Sequence, residues 1–225
     1  MPTESGRRIP EATVSRLPQY YRVLLENTGT GLVTISSDRL AELAGVNAAK
    51  VRKDLSYLGS FGTRGVGYDI EYLLHEIARE LGLTQDWPCV IVGIGNLGAA
   101  LANYRGFGAR GFRVVALADA DSSKVGQKVA DLEIEPVTEL TTICEREKVT
   151  IAIIATPQSE SQNVADTLVE AGVKSILNFA SGMLSVPDGV AVRKVDLATE
   201  LQILSFYQLR NGNGNNGSAN GTGPS

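Results

Sequence analysis

Cys89-Val-Ile-Val-Gly-Ile-Gly-Asn-Leu-Gly98 decides the reading of this chain. Cys89 to Val92 is a short, β-branched apolar run, as expected of a strand buried on both faces of a parallel sheet. Gly93, Gly95 and Gly98 follow as G-x-G-x-x-G on the strand-to-helix turn. In such a turn the first glycine permits the tight bend. The second lets backbone approach a pyrophosphate, and the third lets the helix pack close to the sheet. The helix N-terminus, with Asn96 and Leu97, is expected to hold the phosphate charge. A second apolar run, Phe112 to Ala118, ends in Asp119. That acid stands about 20 residues past the last glycine, where a carboxylate meets the ribose hydroxyls of NAD rather than NADP. Lys124 is expected to flank the adenosine. A glycine turn in an ordinary α/β unit is the plainer alternative, but strand, glycines and acid agree on a dinucleotide site.

Strands and helices alternate from there on. Leu132–Val137 reads as a strand, Thr138–Glu147 as a helix, and Val149–Ala155 as a long apolar strand in the middle of the sheet. Thr156 and Pro157 stand at its carboxyl end, where open α/β sheets bind ligands. A helix over Ser159–Ala171 leads to a strand over Ser175–Phe179, with Asn178, Phe179 and Ala180 at its exit. Val190–Val195 is the last expected strand. The alternation predicts an α/β fold, a doubly wound parallel sheet of Rossmann type. Asp196 is expected to cap a helix to Arg210 with Leu197, Leu201, Leu204 and Phe206 apolar. That is more apolar surface than one stripe needs, and docking on a partner subunit or packing on its own domain would each cover it. Asn211–Ser225 is rich in Gly and Asn and is expected to be disordered.

The chain before the glycine turn has another character. Met1 to Arg8 reads as a loose arm. Ala12–Asn27 carries Val14, Leu17, Tyr21, Leu24 and Leu25 at helical spacing, interrupted by Pro18. A helix over Asp38–Ala44 follows a Ser37 cap, Gly45 breaks it, and Asn47 caps a third helix over Ala48–Leu58. Two short helices joined by a glycine-containing turn are a helix-turn-helix. Val51, Leu55 and Leu58 should pack inward. Ala49, Lys50, Lys53 and Ser56 face away, with Arg52 between, a surface suited to phosphates and base edges. A plain solvated face on a three-helix bundle is the alternative. Ser60–Tyr68 then reads as a glycine-rich hairpin with Arg64 at its tip, a wing whose arginine suits a minor groove. Asp69 caps a fourth helix to Leu81. His75, the single histidine, sits on its surface.

The expected organisation is a winged-helix DNA-binding domain over 1–82 and an NAD(H)-binding domain over 83–195. A dimerisation helix spans 196–210, and a tail 211–225. The net charge of −4 gives no global basic field, so nucleic acid must meet a local patch. No apolar run nears the ~18 residues of a membrane span, and the start lacks the features of a secretory signal. Cys89 and Cys144 read as reduced packing residues of a cytoplasmic protein, not as a metal site.

Five stretches carry a family resemblance over roughly residues 10 to 210. They are Ala12-Thr-Val-Ser-Arg-Leu-Pro-Gln-Tyr20, Val51-Arg-Lys-Asp-Leu-Ser-Tyr57, Phe61-Gly-Thr-Arg-Gly-Val-Gly-Tyr68, Val92-Gly-Ile-Gly-Asn-Leu-Gly98 and Leu177-Asn-Phe-Ala180. With this order of elements, the chain resembles the Rex family of redox-sensing repressors. The resemblance implies a homodimer on palindromic double-stranded operator DNA, released by NADH, with NAD+ competing for the same pocket. It implies that the last helix is exchanged between subunits. It also implies a switch in which Arg16 pairs with Asp196 in one state and Tyr104 takes Asp196 in the other. Some members carry phenylalanine straight after that aspartate. Leu197 stands there here, so apolar closure rather than ring stacking is expected. The alternative is an NAD-dependent dehydrogenase with an accessory N-terminal domain, or an adaptor that binds nucleotide but no DNA. Hydride transfer needs a positioned acid or base. No histidine follows the glycine turn, and Tyr104 and Lys124 suit binding more than chemistry.

Overall fold

A computed structural model describes residues 9–59, 62–63 and 66–213, which form two compact units divided between Asp86 and Trp87. That division lies beyond the expected boundary at 82/83. Gly82, at φ +68°, closes the preceding helix and Leu83 N still bonds back to Ala78 O, whereas Trp87 N already pairs with Gly111 O of the second unit.

In the first unit α1 (Glu11–Val14) and α2 (Leu17–Asn27) replace the one interrupted helix, with Pro18 in the first turn of α2, where its missing N–H is harmless. Tyr20, not Tyr21, is fully buried, and Val14 and Leu25 are exposed. After β1 (Thr34–Ile35) comes α3 (Ser37–Ala44). Its cap is Ser36 instead of Ser37: Ser36 keeps an extended backbone and accepts from Arg39 N, while Ser37 has entered the helix. Gly45 ends α3 in the left-handed region, and Asn47 caps α4 (Ala48–Leu58). β2 (Gly62–Thr63) pairs antiparallel with β3 (Gly67–Asp69), which also pairs with β1. That hairpin is the expected wing. Its expected tip residue Arg64 lies outside the described residues, as does the expected N-terminal arm. α5 (Ile70–Glu80) is capped by Asp69. Leu17, Tyr20, Leu24, Leu40, Val51, Leu55, Ile70, Leu73 and Ile77 fill one core, and His75 is exposed.

The second unit is built on a seven-stranded sheet. β4 (Trp87–Val92) leads through the glycine turn into α6 (Asn96–Ala102) and on to β5 (Phe112–Asp119). β6 (Lys128–Val129), β7 (Leu132–Pro136), α7 (Leu140–Arg146), β8 (Ile151–Ile154), α8 (Gln158–Glu170), β9 (Ser175–Asn178) and β10 (Ala191–Lys194) follow. The sheet order is β10-β9-β8-β4-β5-β7-β6. Leaving out β6, this is the 3-2-1-4-5-6 order of a Rossmann sheet, all parallel. β6 corrects the purely parallel expectation, because it runs antiparallel to β7. Ala130 and Asp131 turn between the two strands with φ +51° and +66°. Both residues are left-handed, as in a primed hairpin turn, but Ala-Asp lacks the Asn-Gly signature that would announce one. Val90 and Val92 of β4 point to one face of the sheet, packed against Leu140, Ile143, Val164, Ala165 and Leu168 of α7 and α8. Ile91 points to the other, with Leu117, Ile134, Ile153 and the partly buried Ala99 and Leu101 of α6.

α9 (Leu197–Asn213) follows, so the helix outruns the expected end at Arg210; residues 214–225 lie outside the described residues. Leu197, Leu201, Leu204, Phe206 and Leu209 on it are all exposed within the single chain.

The glycine turn holds α6 against β4. A side-chain carbon added at Gly98 would collide with the carbonyl oxygen of Gly93. Gly98→Ala is therefore expected to destabilise the second unit by about 2 kcal/mol or more, read as a lowered midpoint of thermal unfolding.

Candidate functional site

The carboxyl ends of β4, β5 and β8 open onto a cavity of about 680 Å³. It lies where the strand order reverses, the place at which open α/β sheets bind ligands. Gly93, Gly95, Asn96, Leu97, Asp119, Lys124, Thr156 and Pro157 line it, eight of the residues expected from sequence. Asp121, Val137, Leu140, Glu160, Asn163 and Thr167 line it too, and sequence reasoning did not single them out. The last three sit on α8, which the sequence announces as a helix without indicating which of its residues meet a cleft.

The three glycines do different things. Gly93 has φ +93°, and a Cβ there would lie 2.8 Å from the Ala155 backbone and 2.9 Å from Thr156 Cγ2. It lets the turn after β4 pass close to the end of β8. Gly98 serves helix packing and does not line the cavity. Gly95 has an ordinary extended backbone (φ −83°, ψ −164°), and nothing lies within 4 Å of an added Cβ. The protein itself has room for a side chain at residue 95, so the space serves whatever approaches from the cleft. Thr156 Oγ1 is buried there without a hydrogen-bond partner among the described residues. A buried unpaired hydroxyl is costly unless a ligand pairs it. Neutral backbone, an orphan hydroxyl and an apolar wall fit a dinucleotide.

Asp119 organises the cleft from inside. It is 7 % exposed. Oδ2 accepts from Ile94 N at 2.6 Å and from Lys124 Nζ at 3.1 Å, and Oδ1 accepts from Asp121 N at 2.8 Å. Burial pushes this carboxyl up, but the amides of Asp121 and Ile94 and the Lys124 ammonium outweigh it and hold the pKa below the usual carboxylate value. Asn178, Phe179 and Ala180 do not line the cavity. They form the turn after β9: Asn178 Oδ1 accepts from Ala180 N at 2.9 Å, and Nδ2 donates to Gly182 O at 3.1 Å.

On the first unit, Ala49, Lys50, Arg52 and Lys53 are exposed along α4. Asn47 Oδ1 is occupied as the cap, accepting from Ala49 N at 2.7 Å. Arg52 Nη1 donates to Ser37 Oγ at 2.8 Å and so braces α4 against the start of α3. Asp54 on the opposite face of α4 escaped the sequence reading. It is 2 % exposed and accepts from Thr13 Oγ1, Arg16 Nε, Arg16 Nη2 and Tyr20 OH at 2.7–2.8 Å. Burial pushes the Asp54 carboxyl up, but hydrogen bonds from Arg16, Tyr20 and Thr13 prevail and hold its pKa below the usual value. A charge amid Leu-rich helical periodicity reads as surface, so only the fold reveals that α1 and α2 are tied to α4 through it.

Residues 84–182 match the family described as "CoA binding domain", and residues 8–56 match "Putative DNA-binding protein N-terminus". The redox-sensing transcriptional repressor Rex of Streptomyces avermitilis is 61% identical over 209 residues, 93% of this chain and 83% of the relative. That of Streptomyces coelicolor is 58% identical over 223 residues, 99% of this chain and 86% of the relative. The chain belongs to the Rex family. Among solved structures, RSP in complex with β-NAD+ and operator DNA superposes with a TM-score of 0.84 at 35% identity, covering 93% of this chain and 99% of RSP. RSP in complex with β-NADH gives 0.84 at 34% identity, covering 92% of this chain and 97% of RSP.

The residues that the Rex resemblance puts in a switch each have a partner within their own chain. Arg16 is held by Asp54. Tyr104 is half exposed and packs edge-on against Phe107, ring centroids 5.0 Å apart. Asp196 Oδ1 caps α9 by accepting from Ala198 N and Thr199 N, and Oδ2 lies 3.5 Å from Lys194 Nζ. Cys89 and Cys144 are both buried, and burial pushes the Cys144 thiol up to about 11. Among the described residues no cluster of His, Cys, Asp or Glu is placed to hold a metal ion, and no helix is long and apolar enough to cross a membrane.

Two outcomes follow from this geometry. Gly95→Ala should leave thermal stability within about 0.5 kcal/mol while weakening NADH binding about tenfold or more in a calorimetric titration. Folding holds the Asp54 carboxyl below the usual carboxylate pKa. Its contribution to stability is complete above about pH 5 and is lost as the pH falls through the folded value. Calorimetric unfolding of Asp54→Asn from about pH 5 to about pH 3 should show a shallower loss of stability than the parent protein.

Proposed function

We propose that this Rex-family chain is a transcriptional repressor that binds operator DNA as a homodimer and lets go of it when NADH fills the cleft beside Gly95. The observation that carries the reading is the open space at Gly95. A helix-turn-helix head and a dinucleotide cleft in one chain need a reason to be joined, and regulation of the first by the second supplies one. The names of the relatives and the ligands of RSP support it.

Lys50, Lys53 and Arg64 take the phosphates and groove edges, with Ala49 against the bases, while Asn47 and Arg52 hold the recognition helix in place. Each lysine acts through local charge, since the whole chain is acidic. In the cleft, Gly93, Gly95, Asn96 and Leu97 lie along the pyrophosphate. Asp119 receives a ribose hydroxyl. An ionised carboxylate has about four acceptor positions, and three are taken by Ile94, Asp121 and Lys124, so one remains for the ligand. Thr156 and Pro157 meet the dinucleotide past the turn. Asn178, Phe179 and Ala180 shape the nicotinamide end, closed by the partner copy's α9.

Discrimination between the two redox forms follows from charge. Reduced nicotinamide is neutral and oxidised nicotinamide is cationic. An apolar closure by Phe179, Ala180 and Leu197 favours the neutral ring, because burying an unpaired charge is costly. NADH then shifts the dimer only by its preference for the closed state, and operator DNA weakens NADH binding by the same factor. Arg16, Tyr104 and Asp196 exchange partners as the heads move. The protein works in the cytoplasm, and the cleft binds without turning over: the single histidine, His75, is on α5 of the first unit.

Operator binding titrated across mixtures of NADH and NAD+ at fixed total nucleotide tests the reading. Affinity should fall as the NADH fraction rises, with NAD+ restoring it. Unchanged affinity across the mixtures refutes the reading. Steady consumption of NADH with a carbonyl substrate would move the assignment to a dehydrogenase.

A further inference from the structure

Between the turn after β9 and the start of α9 there is a bridge of one side chain. Lys194 is the last residue of β10 and stands in register with Asn178 of β9. Its Nζ donates to Ser181 O at 2.8 Å and lies 3.5 Å from Asp196 Oδ2. Ser181 belongs to the turn that Asn178, itself buried, holds through Ala180 N and Gly182 O. Asp196 commits its other oxygen to the first turn of α9. Thus the backbone of the turn that Asn178 holds, one hydrogen bond at Ser181 O and one ion pair connect buried Asn178 through Lys194 to the cap of α9. The backbone supports it, since Val195 N also bonds to Asn178 O.

We propose that Lys194 is the positioning residue that couples the turn at residues 178–182 to Asp196, and through it to the start of α9. This rests on the function proposed above, where that turn meets the nicotinamide and Asp196 is exchanged between Arg16 and Tyr104. Three properties suit Lys194 to the task. Its ammonium is a point charge with three donors, able to serve a carbonyl and a carboxylate together. It neutralises the one Asp196 oxygen not used in capping, so any second cation that reaches Asp196 must share or displace it. It is attached to the turn by a main-chain carbonyl, so a movement of the turn moves the charge whatever side chains surround it. With nicotinamide bound, a displaced Ser181 carbonyl draws Lys194 away from Asp196 and frees that oxygen for a new partner. With the turn at rest, Lys194 holds Asp196 and competes with Arg16.

The test uses the full-length dimer and three proteins: the parent, Lys194→Met, which keeps the aliphatic stem, and Lys194→Arg. For each, NADH affinity alone, operator affinity alone, and operator affinity at saturating NADH are measured. The first two should change less than twofold in Lys194→Met, while the factor by which NADH weakens operator binding drops by about threefold, the scale of one exposed ion pair. Lys194→Arg should restore it. Hydrogen exchange at the Ala198 and Thr199 amides, measured without nucleotide, should be faster in Lys194→Met than in the parent. An unchanged coupling factor together with unchanged exchange in Lys194→Met overturns the proposal, as does equal loss in Lys194→Met and Lys194→Arg. Absence of any NADH effect in the parent is a different result: it strikes the proposed function, and the exchange measurement then decides by itself whether Lys194 holds the start of α9.

Discussion

The carbonyl oxygen of Gly93 occupies the place where residue 98 would carry its side chain. That contact between two backbones brings α6 down onto the end of β4, and the rest of the second unit is arranged around it. The same turn brings Gly93 against the backbone of Ala155 at the end of β8, so the end of β4 is locked closely to α6 on one side and to β8 on the other. A cleft at that point is then a consequence of topology, because β4 sends its chain toward β5 and β8 sends its chain the opposite way, toward β9. What remains adjustable is the lining, and there the chain leaves residue 95 bare although its own packing has room for a side chain.

Each unit also has a buried carboxylate that does for the tertiary structure what the glycines do for the turn. Asp119 joins the glycine loop to the end of β5 through Ile94 N, and Asp54 joins α4 to α1 and α2 through Thr13, Arg16 and Tyr20. A buried charge is tolerated only when donors surround it. Asp54 accepts four hydrogen bonds and Asp119 three, which is why burial fails to raise either pKa. The consequences differ. Asp119 lies at a ligand cleft and keeps an acceptor position in reserve. Asp54 has its partners inside the head, and one of them, Arg16, is among the residues that the Rex family resemblance places in the switch. A guanidinium that leaves Asp54 strips the carboxylate of two donors at once, so its release is felt directly on α4, the proposed recognition helix.

The doubly wound sheet, the helix-turn-helix and eight of the cleft residues were legible in the sequence because each rests on local chemistry: β-branched runs, caps, glycines at fixed spacing, an acid at the end of a strand. What escaped depends on contacts between distant residues. Asp54 looks like a surface charge until Arg16, remote in sequence, is folded against it. Tyr20 and Tyr21 are equivalent by periodicity, and the hydroxyl acceptor at Asp54 decides which is buried. β6 was hidden because Ala130 and Asp131 adopt a primed turn without glycine. The Lys194 bridge has no sequence signature, since its acceptor at Ser181 is a backbone carbonyl.

An acidic chain that binds DNA must concentrate what positive charge it has. Lys50, Arg52 and Lys53 stand on the exposed side of α4, while the acid that follows them in sequence, Asp54, is turned inward and neutralised by Arg16. One such face contacts few phosphates, and a contact with few phosphates is weak at cellular salt. In the proposed homodimer the second head binds as if at high local concentration, which strengthens the whole by about 10²–10⁴ provided both heads fit their half-sites together. That gain disappears when the spacing is wrong. The nucleotide therefore has no need to disturb the recognition surface itself. A change at the cleft large enough to misplace one head relative to the other forfeits the avidity. A small movement at Asp196, amplified along α9, is of the kind that such an arrangement turns into release.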